Sequence, residues 1–143
     1  MKIYPGTSII EILIATAMIS LAVVGALSLS SRSQAQNAYA KNLAQATQYA
    51  NQAADWIRGE RNSLGYATLA AQNDDGYCLN NLPVDFTLIQ SGNCGAGTYI
   101  ASTPFTRNLT LTKDGNTLYF LIVVSWEDKT TRQASIELEL KPW

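Results

Sequence analysis

The sequence predicts an α+β protein, and three patterns in its 143 residues carry that expectation. An uncharged apolar run lies near the N-terminus. An alanine-rich stripe at helical spacing follows it. Alternating apolar segments with turn signals then fill the C-terminal third. A helix would therefore come first and an antiparallel sheet last, with the sheet laid on the second half of the helix.

The apolar run is Ile9 to Leu29, in which 16 of 21 residues are apolar. As a helix it would cover about 31 Å, matching a hydrocarbon core of roughly 30 Å. No charged side chain lies between Glu11 and Arg32, and 19 of the 21 charges lie from Arg32 onward. A secretory signal peptide would have a basic leader, a run of roughly 7–15 apolar residues and a small-x-small cleavage site. This run is longer, although Ala15, Ala17, Ala22 and Ala26 supply small residues within it. The leader MKIYPG carries one lysine, and Pro5-Gly6 precedes the run rather than following it. Glu11 is what a plain anchor leaves unexplained, because a carboxylate in hydrocarbon is expensive and usually has a partner or a function. A cut between Gly6 and Thr7 would place a new α-amine four residues before Glu11. That cation lies one helical turn away and could neutralise the carboxylate, within one chain or between neighbours.

Gly6-Thr7-Ser8-Ile9-Ile10-Glu11 and the uncharged stretch after it resemble the N-terminal signature of type IV pilins and the related pseudopilins. The resemblance covers about the first 30 residues. It implies a leader of residues 1–6, a membrane or filament-core half of the helix at 7–31, and a globular domain at 32–143 with a pilin-like fold. It also implies cleavage after Gly6 by a prepilin peptidase, N-methylation of Thr7, and a register role for Glu11 opposite a neighbouring Thr7 amine. The partners implied are a homo- or hetero-oligomeric filament with other pilins, and a pilus assembly platform. The location implied is a single inner-membrane span before assembly and an extracellular pilus afterwards. Two positions depart from the family's pattern. Thr7 stands where phenylalanine is usual, and Ser28 stands where many type IV pilins carry a helix-bending proline, leaving Gly25 as the soft point.

From Arg32 to about Asn62 the pattern stays helical. Tyr39, Leu43, Ala46, Ala50, Ala53 and Ile57 fall on one face, with Lys41, Asn42, Gln45, Gln48, Gln52 and Asp55 on the other. The stripe is mostly alanine, so a neighbouring layer can approach closely. It runs for fewer than three heptads, too short for a coiled coil to be the better reading. Residues 63–104 read as irregular, with a short strand at Val84 to Gln90. Phe105 to Lys113 alternates, Asp114-Gly115 signals a hairpin, and Leu118 to Trp126 is apolar on both faces, as in a central strand covered on both sides. Glu127 to Thr130 supplies a second turn. Ala134 to Lys141 then alternates, with Ile136, Leu138 and Leu140 inward.

Chemistry is sparse. Without histidine the chain lacks the commonest general base and any imidazole metal ligand, and no serine-centred, phosphate-loop or paired-carboxylate motif replaces it. Neither an enzyme nor a cofactor is expected. The balance of 10 basic against 11 acidic side chains shows no basic excess, so nucleic acid is not indicated. Cys78 and Cys94 are the only cysteines. If the polar half lies outside the cytoplasm they can close their loop as a disulfide, contributing about 3 kcal/mol; otherwise they are two free thiols. Asn73-Asp74-Asp75-Gly76 reads as a solvated turn rather than a calcium loop, and Asn108-Leu109-Thr110 as a chance sequon. Trp56, Arg58 and Arg61, flanked by Asp55 and Glu60, read as a helix end rather than a nucleic-acid contact.

The expected function is that of a major or minor pilin, a structural subunit of a type IV pilus or related filament. A pseudopilin of a type II secretion system shares the same N-terminus. A single-span anchored binding domain that never polymerises is the alternative from another class.

Overall fold

The computed structural model of the chain describes residues 8–95, 97–128 and 130–142. Gly6 and Thr7, the expected cleavage and methylation positions, lie outside the described residues. Helix α1 spans Ile9–Leu64, α2 spans Tyr66–Ala70, and four strands follow: β1 Gly76–Cys78, β2 Phe105–Asp114, β3 Thr117–Asp128 and β4 Thr130–Leu140. The chain divides into two units, one up to Tyr39 and the other from Ala40 onward.

Helix α1 persists because no proline lies between Ile9 and Leu64 and its interior glycines are only Gly25 and Gly59. It stops at Gly65, whose φ of 83° and ψ of 159° lie outside the helical regions in a conformation that favours glycine, with the Gly65 N–H donating to the Arg61 carbonyl at 3.0 Å.

In the second unit α1 packs on a four-stranded antiparallel sheet in the order β1-β2-β3-β4, the α+β, pilin-like architecture expected. Ala46, Ala50, Ala53 and Ile57 are fully buried, so the alanine stripe is indeed where the sheet approaches. From the sheet come Phe105, Leu109, Leu111, Leu118, Phe120, Ile122, Val124 and Trp126, all buried. Aromatic rings fill what alanine leaves open. Trp56 stacks on Phe86 at 5.5 Å between ring centres, and Phe86 meets Phe120 edge-on at 5.9 Å.

Several expectations need correction. Val84 to Gln90 is not a strand: Phe86–Leu88 form a single 3-10 turn, capped by the Asp85 carboxylate accepting from Thr87 N at 2.7 Å. The short polar cap outcompetes strand pairing there, while Phe86 still points into the core. The first hairpin turn is Gly115-Asn116, one residue later than Asp114-Gly115, because Asp114 already pairs with Thr117. Strand β3 is central but covered on one face only, and Leu121 on the other face is 41% exposed. β4 begins at Thr130 rather than Ala134, and Glu127 and Asp128, expected in the second turn, belong to β3 and pair with Thr131 and Thr130. Residues 63–104, read as irregular, contain α2 and the short strand β1.

Candidate functional site

In the first unit every described residue from Ser8 to Tyr39 is exposed, including Ile9, Ile10, Leu13, Ile19, Leu21 and Leu29. Among the described residues one helix is long and apolar enough to cross a membrane, and its apolar window lies near the N-terminus. Helical spacing makes this stretch apolar around its whole circumference, so all its faces need a partner. Glu11 lies in the first turn of α1, and its backbone N–H donates to the Ser8 carbonyl at 2.9 Å. A carboxylate there is favoured by the unpaired N–H groups of the helix start. The amine proposed to face it belongs to Thr7, outside the described residues.

The second unit holds a separate set of polar groups. Cys78 and Cys94 form a disulfide, which fulfils the disulfide reading of that pair. Asn108 serves both cysteines: its backbone pairs with Cys78 across β1 and β2, and its side-chain oxygen accepts from Cys94 N at 2.8 Å. The sequon asparagine is therefore engaged in holding the cross-linked loop.

Sequence reasoning missed Arg107, which is 2% exposed. Its Nε donates to the Leu79 carbonyl at 2.8 Å and its Nη1 to the Tyr49 carbonyl at 2.9 Å, while its backbone N–H donates to Asn80 Oδ1 at 2.7 Å. One side chain thereby ties α1, β2 and the start of the cross-linked loop. Burial pushes the guanidinium down to about 10, and the nearby Tyr49 opposes that shift. The signal was present: Arg107 falls in the inward phase of Phe105, Leu109 and Leu111, where a charge must have a reason.

Glu60 was also missed. Its buried carboxylate accepts from Phe86 N at 2.7 Å, joining α1 to the 3-10 turn. The residues read as a helix end behave as one: Arg58 pairs with Asp55 at 2.6 Å, and Arg61 donates to the Lys141 carbonyl at 2.6 Å. Asp74 lies 3.4 Å from Lys113 Nζ, which also donates to the Gln72 carbonyl. Tyr77 donates to the Asn73 carbonyl at 2.7 Å; burial raises its hydroxyl, and Asp75 and Asp74 raise it further. Among the described residues no three acidic or cysteine side chains gather as metal ligands. A cleft of about 420 Å³ is lined by Asn81, Gln90, Ser91 and Asn93 with Pro83, Leu88 and Ile89, and brings no acid or base together.

No protein-family model matches the chain, and neither does any curated protein or solved structure.

Proposed function

We propose that the chain is a pilin, a structural subunit of a type IV pilus or related filament, made as a single-span inner-membrane precursor and then polymerised through its N-terminal helix. One observation carries this reading: a fully exposed apolar helical stretch whose single charged side chain is a carboxylate in its first turn. Such a surface is stable in lipid or against other apolar helices, and a folded domain sits on the same chain. Within the chain no described group pairs with Glu11 through its side chain, so a partner from outside suits it.

On this proposal a prepilin peptidase cuts after Gly6 and methylates the Thr7 amine. Glu11 of one subunit then faces the Thr7 amine of a neighbour. A subunit one step out of register would bury an unpaired carboxylate among apolar helices, and that penalty selects the correct axial spacing. The platform that extracts the subunit would act on the span, and the sheet domain would face outward.

Intact mass and N-terminal sequence of protein from sheared surface filaments test the processing step. A chain beginning at methylated Thr7 supports it; a chain still beginning at Met1 overturns it. Glu11→Val tests the register step. Expression and cleavage should persist while filament yield collapses, and undiminished filaments would remove Glu11 from the argument.

A further inference from the structure

We propose that Asp75–Gly76 is a self-modification site, at which the chain converts its own backbone to an isoaspartyl linkage through a cyclic imide. The proposal does not rest on the filament reading. The Gly76 N–H is turned away from the β1–β2 ladder and donates to Oδ1 of its own predecessor, Asp75, at 2.7 Å. The nitrogen is thereby held against the carboxyl group it would attack. Both neighbouring carbonyls are pinned in place: Asp75 O accepts from Leu111 N at 3.0 Å, and Gly76 O accepts from Gly92 N at 2.7 Å. The Asp75 side chain is exposed, so water can leave and return.

At residue 76 the exposed Asn93 side chain comes close and would have to swing aside for any side chain larger than hydrogen. A Cβ there would lie 2.6 Å from Asn93 Oδ1, on the cross-linked loop that ends at Cys94.

The step balances without any co-reactant. The Gly76 nitrogen forms a bond to Asp75 Cγ, the Cγ–OH bond breaks, and that hydroxyl leaves with the amide hydrogen as water. Water then adds back to one of the two imide carbonyls. Opening at Cγ restores the aspartyl chain, whereas opening at the main-chain carbonyl carbon leaves the backbone running through Cγ. The isoaspartyl form has one extra methylene immediately before β1. It moves the Asp75 carbonyl away from Leu111 N and shifts the entry to Tyr77 and Cys78, while the disulfide retains the strand.

The test follows the detergent-solubilised full chain at neutral pH over weeks, with peptide mapping for the imide and isoaspartate. The comparators are a short peptide spanning residues 72–79 and the second Asp-Gly pair, Asp114–Gly115, at the hairpin between β2 and β3. Preorganisation predicts conversion at Asp75 about tenfold faster than in the peptide. It also predicts more product at Asp75 than at Asp114, and faster hydrogen exchange at Leu111 N–H in the converted fraction. A rate at Asp75 equal to or below the peptide's, or product favouring Asp114, overturns the proposal. Asp75→Glu, which disfavours the five-membered ring, should fold as the parent does and lose the product. Persistence of a product at position 75 in that variant would also overturn it.

Discussion

Helix α1 contains two stretches that treat the same residue type in opposite ways. Ala15, Ala17, Ala22 and Ala26 in the first stretch are exposed, whereas Ala46, Ala50, Ala53 and Ala54 in the second are essentially sealed. The first stretch is the more apolar, yet the second is the one that the chain buries. Composition alone therefore does not decide burial; the availability of a complementary layer does. In the second stretch that layer is the sheet, whose large side chains fill the space alanine leaves. For the first stretch the described residues of its own unit supply no such layer, which is the physical content of the membrane-or-filament reading.

The contrast breaks most severely at Arg107. Arg107→Leu should destabilise the second unit by about 3–5 kcal/mol, because buried carbonyls of Tyr49 and Leu79 lose their donor together. Thermal or denaturant unfolding of the detergent-solubilised chain, followed by tryptophan fluorescence, measures it. A loss below 1 kcal/mol would mean that water replaces the guanidinium, and that its bonds to the Leu79 and Tyr49 carbonyls are not a brace.

Removing the cross-link comes next. Cys78→Ser with Cys94→Ser should cost about 3 kcal/mol by the chain-entropy argument, an upper figure, because Leu79 and Phe86 still anchor the loop in the core. Unfolding midpoints of the double variant and the parent give the comparison directly. Helicity of the first stretch should not change.

A single kind of substitution then sharpens the comparison. Ala50→Leu inserts volume where α1 meets the sheet and should cost about 1–3 kcal/mol. Ala17→Leu makes the same change on an exposed apolar surface and should leave unfolding of the second unit unaltered. Equal losses at the two positions would erase the distinction between the stretches.

Much of this was legible in the residues. Alanine at the spacing of Ala46, Ala50 and Ala53 announced a close-packed face, and the alternation of β2 and β4 announced the sheet. The signature around Glu11 drew attention to the first stretch. What was not legible depended on three-dimensional company. The strand expected at Val84 to Gln90 gave way to a turn because Asp85 and Glu60 offered the backbone side-chain acceptors. The apolar outer face of β3 suggested a second covering layer, but none lies over Leu121 within the described chain. Arg107 and Glu60 became important through partners roughly 25 to 60 residues away in sequence, and such pairings leave no local pattern.

The smallest expected effect separates the two regions by titration. Burial and the adjacent Asp75 and Asp74 raise the Tyr77 hydroxyl above its ordinary value of 10.0. Its folded form thus holds the proton longer than its unfolded form. The resulting stability is fully present below pH 10 and is lost as pH climbs through the raised value. Arg107 works in the opposite sense: its folded guanidinium, pushed down to about 10, releases its proton before the unfolded one does, so its burial penalty eases as pH rises further. Tyr77→Phe removes the first effect and keeps the second. Melting temperatures at about pH 9 and pH 11 should therefore fall more steeply in the parent than in Tyr77→Phe, with a difference of a few degrees. Parallel curves would mean that Asp74 and Asp75 do not act on that hydroxyl. Between Glu11 and Arg32 no ionisable side chain exists, so the apolar stretch itself should contribute nothing to this alkaline sensitivity. Far-ultraviolet dichroism of the apolar stretch should stay flat over the same range.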